Sequence, residues 1–314
     1  MKIAFVFPGQ GSQSVGMLDA WVGSAEVQTV MRRAGAALGH DLGALIAQGP
    51  AEDLGLTVNT QPAMLATGLA FYAAWRAAGG PLPDVMAGHS LGEYTALTAA
   101  GVFSLEDAVQ LVRYRAQVMQ EAVPVGSGSM AAILGLDDAA VAQACAEAVA
   151  GAAGEVVEPV NFNAPSQVVI AGHTAAVTRA CEVARRLGAK RAVALAVSAP
   201  FHSSLLAPAS VKLAERLASV PMQTPQVPVI NNIDVTVQTD PARIRDALAR
   251  QAAGPVRWAQ IVQKMAAEGV THLVECGPGK VLAGLARRCA PGVEGLALFD
   301  PTSLQDVLAR LKAG

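Results

Sequence analysis

The chain has 314 residues, a hydrophobic content of 52% and a formal net charge of −2 at pH 7. This composition excludes a disordered chain, and the charge gives no general reason to expect a nucleic acid or a membrane surface as partner. The length permits one large domain or a domain that carries an insertion.

Cysteine spacing and hydropathy indicate the cellular compartment of the protein. The four cysteines lie far apart without a CxxC pair, which argues against a zinc site or a disulfide framework. Residues 3–7 are too few for a signal peptide, and no segment approaches the roughly 18 uninterrupted apolar residues of a membrane span. We therefore expect a cytoplasmic protein without a metal ion.

The N-terminal part alternates apolar runs with helical patterning. Residues 2–7 predict a buried strand that ends in the polar loop 8–13. Helical patterning follows at 31–38 and 61–78, and a short apolar strand is predicted at 83–87. This alternation predicts a largely parallel sheet with helices on its faces.

The segment Gly88-His89-Ser90-Leu91-Gly92 has the pattern Gly-x-Ser-x-Gly between that strand and a predicted helix at 91–100. This context is typical of a nucleophile elbow, in which flanking glycines let the backbone turn sharply and expose the serine at a helix N-terminus. The alternative is that Ser90 only caps the helix.

A second helix carries an arginine among apolar residues. Ser104 is suited to cap a helix that runs to about Glu121. Arg115 lies on its apolar stripe, and Arg113, about 200° away, points elsewhere. The other members of the stripe are Ala108, Leu111, Val112 and Met119. A guanidinium there needs an anion, either a substrate or an internal salt bridge such as one to Glu93 or Glu121.

The architecture changes at the glycines of residues 126–128. The predicted elements that follow are a strand at 129–136, a helix at 138–150, strands at 156–162 and 166–171, a helix at 174–187 and a strand at 191–197. The order βαββαβ is ferredoxin-like. We expect an α/β protein with a hydrolase-like catalytic domain at 1–125 and 198–314 and a small ferredoxin-like subdomain at 126–197.

After this insertion, His202 lies beside a proline-kinked turn at the rim between the two domains. It is placed either to line a cleft or to be satisfied within the core. The remaining predicted elements are helices at 205–219, 240–252 and 256–268, strands at 227–231 and 272–276, and a further helix after residue 280. The turn 277–280 lacks phosphate-loop spacing and is interpreted as structural.

Several segments together resemble the malonyl-CoA:acyl carrier protein transacylases of fatty acid synthesis and the related polyketide acyltransferase domains. The segments are FVFPGQGSQ (5–13), AGHSLGEY (87–94), MQEAVP (119–124), NFNAP (161–165), APFH (199–202), Gln251 with PVRW (255–258), and ECGPGK (275–280). Their order and spacing cover nearly the whole chain.

The resemblance implies a role for each matching residue. Ser90 would be the nucleophile, and His202 the base that takes its proton and later activates the incoming thiol. The backbone N–H groups of Gln10 and Leu91 would hold the oxyanion. Arg115 would bind the free malonyl carboxylate through its planar fork.

Further positions support these groups. Gln251, together with carbonyl groups near it and near Asn231, would orient His202, so Asp234 is not taken as a triad acid. Phe201 beside His202 implies malonyl in preference to methylmalonyl, because its ring leaves no room for a methyl group. The side chain of His89 is expected to point away from Ser90.

The asparagines at 161 and 163 either line the cleft or hold the turn before Pro165. Two basic clusters are candidates for docking an acidic carrier protein, although such runs are often only a solvated surface. The first contains Arg185, Arg186, Lys190 and Arg191, and the second Lys280, Arg287 and Arg288.

The resemblance therefore implies transfer of malonyl from malonyl-CoA to the phosphopantetheine thiol of an acyl carrier protein, through a malonyl-serine ester. No bound cofactor and no partner beyond the carrier protein is implied, and we expect a monomer. The alternatives are a discrete acyltransferase of a polyketide synthase or malonate decarboxylase system, a serine hydrolase, and an inactive scaffold that binds carrier protein.

Overall fold

The structure, a computed structural model, describes residues 1–312. The strands are β1 (Lys2–Phe7), β2 (Val85–Gly88), β3 (Gly128–Leu134), β4 (Val157–Ala164), β5 (Gln167–His173), β6 (Arg191–Ala194), β7 (Val229–Ile230), β8 (Val270–Cys276) and β9 (Glu294–Leu298). They form two sheets, one of five strands and one of four.

The helices surround these sheets. They are α1 (Ala25–Leu38), α2 (Leu42–Gln48), α3 (Ala51–Gly55), α4 (Thr57–Ala77), α5 (Leu91–Ala99), α6 (Leu105–Glu121), α7 (Asp138–Val149), α8 (Thr174–Arg186), α9 (Ala207–Ala218), α10 (Pro241–Ala252), α11 (Trp258–Ala267), α12 (Val281–Cys289) and α13 (Pro301–Lys312). Within residues 1–312, no helix is long and apolar enough to cross a membrane.

The larger sheet has the order β7-β2-β1-β8-β9, and every neighbouring pair is parallel. Its central strand β1 is covered on both faces. Phe5 and Phe7 belong to the main hydrophobic core, whereas Ala4 and Val6 belong to a second core that includes Trp258 of α11. Because side chains alternate along a strand, a strand that is apolar at successive positions needs an apolar layer on each face of the sheet. The parallel pairing confirms the predicted parallel sheet.

The smaller sheet is antiparallel, with the order β4-β5-β3-β6. Ala131 and Ile133 of β3 pack in a core with α7 and α8, while Met130 faces the opposite side, where Phe201 packs. The element order and strand arrangement are those of the predicted ferredoxin-like fold. The domain boundaries at 126–197 stay a prediction.

Some elements differ from the sequence prediction. The strand expected at 227–231 is only the two-residue β7, because the chain turns at once and the Asn231 amide bonds to Thr236 O. The strand expected at 191–197 ends at Ala194, which leaves residues 195–197 free to line the cleft described below. The helix expected at 256–268 begins at Trp258. The elements α2, α3, β9 and α13 were not predicted.

Candidate active site

The turn between β2 and α5 has the geometry of a nucleophile elbow. Ser90 has φ 53° and ψ −110°, which is strained backbone for a residue with a Cβ. A Cβ on Gly88 would lie 1.8 Å from the carbonyl carbon of Gly92, and one on Gly92 would lie 2.0 Å from the oxygen of Phe7. The two glycines are thus required by close backbone approach. The Ser90 side chain makes no capping hydrogen bond, which excludes the helix-cap interpretation.

The Ser90 hydroxyl instead contacts a histidine. Its Oγ lies 2.7 Å from His202 Nε2, and His202 Nδ1 lies 2.9 Å from the main-chain oxygen of Gln251. A carbonyl only accepts, so Nδ1 carries the hydrogen and Nε2 is free to accept the serine proton. Burial and then the charge of Arg115 lower the pKa of His202 to about 3. Within residues 1–312, no carboxylate hydrogen-bonds this neutral imidazole.

Arg115 of α6 reaches the same hydroxyl. Its side chain is 1% exposed, and Nη2 donates to Ser90 Oγ at 3.2 Å and to Gln251 Oε1 at 2.9 Å. Nη1 donates to Gln61 Oε1 at 2.8 Å. All three acceptors are neutral. The buried guanidinium therefore stands one hydrogen bond from the nucleophile without a carboxylate bonded to it.

The two internal salt bridges considered for Arg115 are not formed. Glu121 pairs with Lys212 at 3.6 Å, and Glu93 accepts hydrogen bonds from uncharged groups. As expected, Arg113 points elsewhere and donates to Leu38 O. These contacts leave the anion for Arg115 to be supplied from the cleft.

Gln10 and Leu91 line the cleft next to Ser90, and their main-chain amides are the predicted oxyanion donors. In the part of the chain that the structure describes, neither amide donates a hydrogen bond. The Gln10 side chain is held aside, since its Oε1 accepts from Thr57 Oγ1 at 2.8 Å. Two free donors beside a serine nucleophile are what an oxyanion site requires.

An asparagine that the sequence analysis did not single out holds the elbow. Asn232 Oδ1 accepts from the Ser90 amide at 2.7 Å, and its Nδ2 donates to Gly88 O at 2.7 Å. The prediction for Asn231 is corrected, because its side chain bonds to the Asp234 amide and to Thr236 within its own turn, not to His202. The side chains of Asn231 and Asn232 point in different directions. The sequence, two asparagines in a row after a predicted strand, does not indicate which side chain faces the site.

Glu93 lies behind this arrangement, 2% exposed. Its Oε2 accepts from the Asn232 amide at 2.9 Å and from Gln251 Nε2 at 2.9 Å. Burial raises the pKa of Glu93 to about 7. The sequence analysis considered Glu93 only as a salt-bridge partner of Arg115 and gave Gln61 no role, since Gln61 is one of several polar residues in the first turns of α4.

The cleft itself is a cavity of about 270 Å³ between the two sheets. Phe201, Met119 and Met130 contribute apolar wall, together with residues 195–197. Asn161 also lines it. No group of three or more His, Cys, Asp or Glu side chains within residues 1–312 is arranged to hold a metal ion.

His89 points away from the nucleophile, as expected. Its Nε2 lies 2.8 Å from Asn163 Oδ1, and its ring centroid is 5.7 Å from that of Trp258. Of the two asparagines considered for the cleft, Asn161 lines it and Asn163 ties β4 to the elbow.

The sequence profile of the acyl transferase domain matches residues 4–292. The chain belongs to the acyl transferase domain family. The chain is 54% identical over 308 residues to the malonyl CoA-acyl carrier protein transacylase of Escherichia coli strain K12. The alignment covers 98% of this chain and 99% of that protein.

Solved structures agree with this relationship. The acyl transferase superposes with a TM-score of 0.96 on an acyl-carrier-protein S-malonyltransferase from Burkholderia pseudomallei, at 61% identity over 98% of this chain and 100% of the other. A second neighbour is a chain from the structure of a type II polyketide synthase acyl carrier protein in complex with its malonyl-transacylase. Its TM-score is 0.96, at 46% identity over 99% of this chain and 100% of the other.

Proposed function

We propose that this protein transfers the malonyl group of malonyl-CoA to the phosphopantetheine thiol of an acyl carrier protein. One observation carries the proposal: the Ser90 hydroxyl lies 2.7 Å from a neutral imidazole and 3.2 Å from a buried guanidinium. The names and full-length similarity of the relatives support the same activity.

In the first half-reaction, His202 Nε2 takes the Ser90 proton as Oγ attacks the thioester carbonyl. The amides of Gln10 and Leu91 stabilise the oxyanion. Collapse of the tetrahedral intermediate breaks the carbon–sulfur bond, and the proton on His202 passes to the coenzyme A sulfur. A malonyl ester on Ser90 remains.

The second half-reaction reverses these steps with a new thiol. The phosphopantetheine thiol enters the cleft and gives its proton to His202 as its sulfur attacks the ester. The carbon–oxygen bond then breaks and Ser90 regains its proton from His202. Because the Gln251 carbonyl is a weaker partner for an imidazolium than a carboxylate, His202 is a weaker base here than the histidine of a serine protease.

Arg115 accounts for the choice of acyl group. A buried cation without an anionic partner is costly, and the free malonyl carboxylate supplies one with bidentate geometry. Phe201 lines the same cavity and favours malonyl over methylmalonyl, a difference of one carbon worth about 1–3 kcal/mol. The apolar wall excludes water from the ester while the carrier protein is awaited.

The carrier protein is expected to dock through basic residues near the cleft mouth. Lys280 follows Gly279, and a Cβ on Gly279 would lie 3.6 Å from Ser12 Cβ, in the loop whose residues Gln10 and Gly11 line the cavity. Lys280 and Arg287 are exposed. This cluster is the better supported of the two predicted ones.

Intact-mass spectrometry after addition of malonyl-CoA tests the proposal. We expect a single malonyl adduct that is absent in Ser90→Ala, persists in water and is discharged by holo carrier protein. Rapid loss of the adduct without carrier protein would instead indicate a hydrolase. An unmodified chain that still binds carrier protein would indicate a scaffold.

A further inference from the structure

Helix α5 begins with the sequence Ser-x-x-Glu, the pattern of a capping box, but the box is not closed. In a capping box the glutamate accepts from the N-cap amide, and the serine hydroxyl caps the helix. Here the Ser90 amide donates to Asn232 Oδ1 at 2.7 Å, and Glu93 Oε2 accepts from the Asn232 amide at 2.9 Å. Asn232 therefore bridges the Ser90 amide and the Glu93 carboxylate, which would bond directly in a capping box. The Ser90 hydroxyl makes no capping bond and is hydrogen-bonded to His202.

The same carboxylate oxygen contacts Gln251. Gln251 Nε2 donates to Glu93 Oε2 at 2.9 Å and to Ser90 O at 2.9 Å, while Gln251 Oε1 accepts from Arg115 Nη2 at 2.9 Å. A carboxylate only accepts hydrogen bonds and a guanidinium only donates them. The amide of Gln251 can satisfy both neighbours in one orientation, and reversal would place NH₂ against Arg115 and oxygen against Glu93.

We propose that Glu93 is a positioning residue of this active site: its carboxylate fixes the Gln251 amide so that an oxygen faces Arg115, and through Asn232 it holds the Ser90 backbone. This inference rests on the proposed function, because its effect is measured on the malonyl loading of Ser90. Glu93 itself touches neither the hydroxyl nor the base. It acts through Gln251 and Asn232.

The carboxylate is buried among few charged or titratable groups. Arg115 faces it from α6, Asp234 lies in the segment after β7, and Tyr94 follows it on α5. Burial raises the pKa of Glu93 to about 7. As the pH falls through 7 the group gains a proton, and its two hydrogen bonds lose the strength that a charged acceptor gives them. His202, with a pKa of about 3, stays neutral over this range.

The test is single-turnover loading of wild type and Glu93→Gln by malonyl-CoA and by acetyl-CoA, followed by intact mass from pH 5.5 to 8.5. For wild type we expect malonyl loading to fall on the acid side of about pH 7. For Glu93→Gln we expect malonyl loading to be about 10- to 100-fold slower at pH 8, because two hydrogen bonds lose their charged acceptor, and we expect no acid limb. Acetyl loading, which does not use Arg115, should fall by a smaller factor.

Glu275→Gln is the matched control. Glu275 of β8 is also a buried carboxyl, its pKa is also raised to about 7 by burial, and it accepts from the Ala283 amide without bonding to the site. This variant should load malonyl at the wild-type rate and keep the acid limb.

Two results overturn the inference: a Glu93→Gln variant with the wild-type rate and pH profile, or one that loses malonyl and acetyl loading by the same factor. If the variant does not fold, the wild-type profiles decide, since equal acid limbs for malonyl and acetyl loading also overturn it. Failure of the proposed function is distinct, because wild type would then form no adduct on Ser90.

Discussion

At the scale of single residues, one hydroxyl contacts both a base and a cation. Ser90 Oγ accepts a hydrogen bond from Arg115 and donates one to His202. The positive charge of the nearby guanidinium lowers the pKa of His202 and so helps to keep the imidazole neutral. A carboxylate bound to Arg115 would offset that charge. The cation that we propose selects the acyl group thus also lowers the pKa of the proposed base.

Arg115→Ala should separate acyl selection from acyl transfer. Without the guanidinium, a buried malonyl carboxylate has no partner, and we expect its loading to slow by about 100-fold or more, a cost of about 3–5 kcal/mol. Acetyl loading should be retained or should rise. Rates of adduct formation from the two donors give the measurement.

Arg113→Ala is the control for this substitution, because Arg113 lies on the same helix and bonds to Leu38 O away from the cleft. Its loading rates should match wild type. Equal slowing of malonyl and acetyl loading in Arg115→Ala would contradict the assigned role.

Residue roles could be inferred from sequence only where a motif or a spacing carries them. The elbow pattern indicates Ser90, and the apolar stripe indicates that Arg115 needs an anion. Asn232 reaches the Ser90 amide across 142 residues, and Gln251 reaches Glu93 across 158. Such contacts depend on how distant segments meet, and no local pattern encodes them.

At the scale of elements, the sequence predicts the strands and helices in which apolar residues recur with a clear period. β1 is buried at every position after the first, and α6 begins at the predicted cap, where the Asp107 amide donates to Ser104 Oγ at 3.0 Å. β7 has two residues, too few to show a period. The helices α2 and α3, of seven and five residues, are similarly short.

The junction of β8 and α12 contains a carboxyl that makes stability depend on pH. Glu275 accepts from the Ala283 amide at the start of α12, and burial raises its pKa from 4.5 to about 7. A raised folded-state pKa means that the folded protein binds the proton more tightly. The stability from this group is therefore full below about pH 4.5 and is lost as the pH rises to 7.

Glu275→Gln should remove this dependence. The free energy of unfolding of the variant, minus that of wild type, is expected to increase by about 3 kcal/mol between pH 4.5 and 7 and then to level off. Urea denaturation across this range gives the difference, in which the contributions of Glu93 and His202 cancel. Glu121→Gln, at an exposed position, is the control for removing a carboxylate, and a difference for Glu275→Gln that falls with pH would refute the assignment.

At the scale of the whole molecule, the cleft lies where the two sheets are joined. The Phe162 amide donates to Val256 O at 2.9 Å, and the Val256 amide donates to Val160 O at 2.8 Å, so β4 is bonded to the segment before α11. Ser90 precedes the small sheet in the chain and His202 follows it. The chain between them supplies Met130 and residues 195–197 to the wall of the cleft, and Ser90 Oγ still lies 2.7 Å from His202 Nε2.

This arrangement leaves two basic clusters at different distances from the cleft mouth. Lys280 lies near the loop that lines the cavity, as described above. Arg191 begins β6, whose other end leads to the lining residues 195–197, so about 13 Å of extended chain separates Arg191 from the cavity wall. The cluster of Lys280, Arg287 and Arg288 should therefore contribute more to the encounter with an acidic carrier protein.

Reversing the charge of each cluster tests this prediction at the discharge step. With malonyl-loaded enzyme at low salt, the pair Lys280→Glu and Arg287→Glu should slow transfer to holo carrier protein by about tenfold, because rim charges act mainly on the association rate. Transfer to free pantetheine, which lacks the acidic protein, should be unchanged. The matched pair Lys190→Glu and Arg191→Glu should slow carrier discharge less, and a larger effect from that pair would place docking on the small sheet instead.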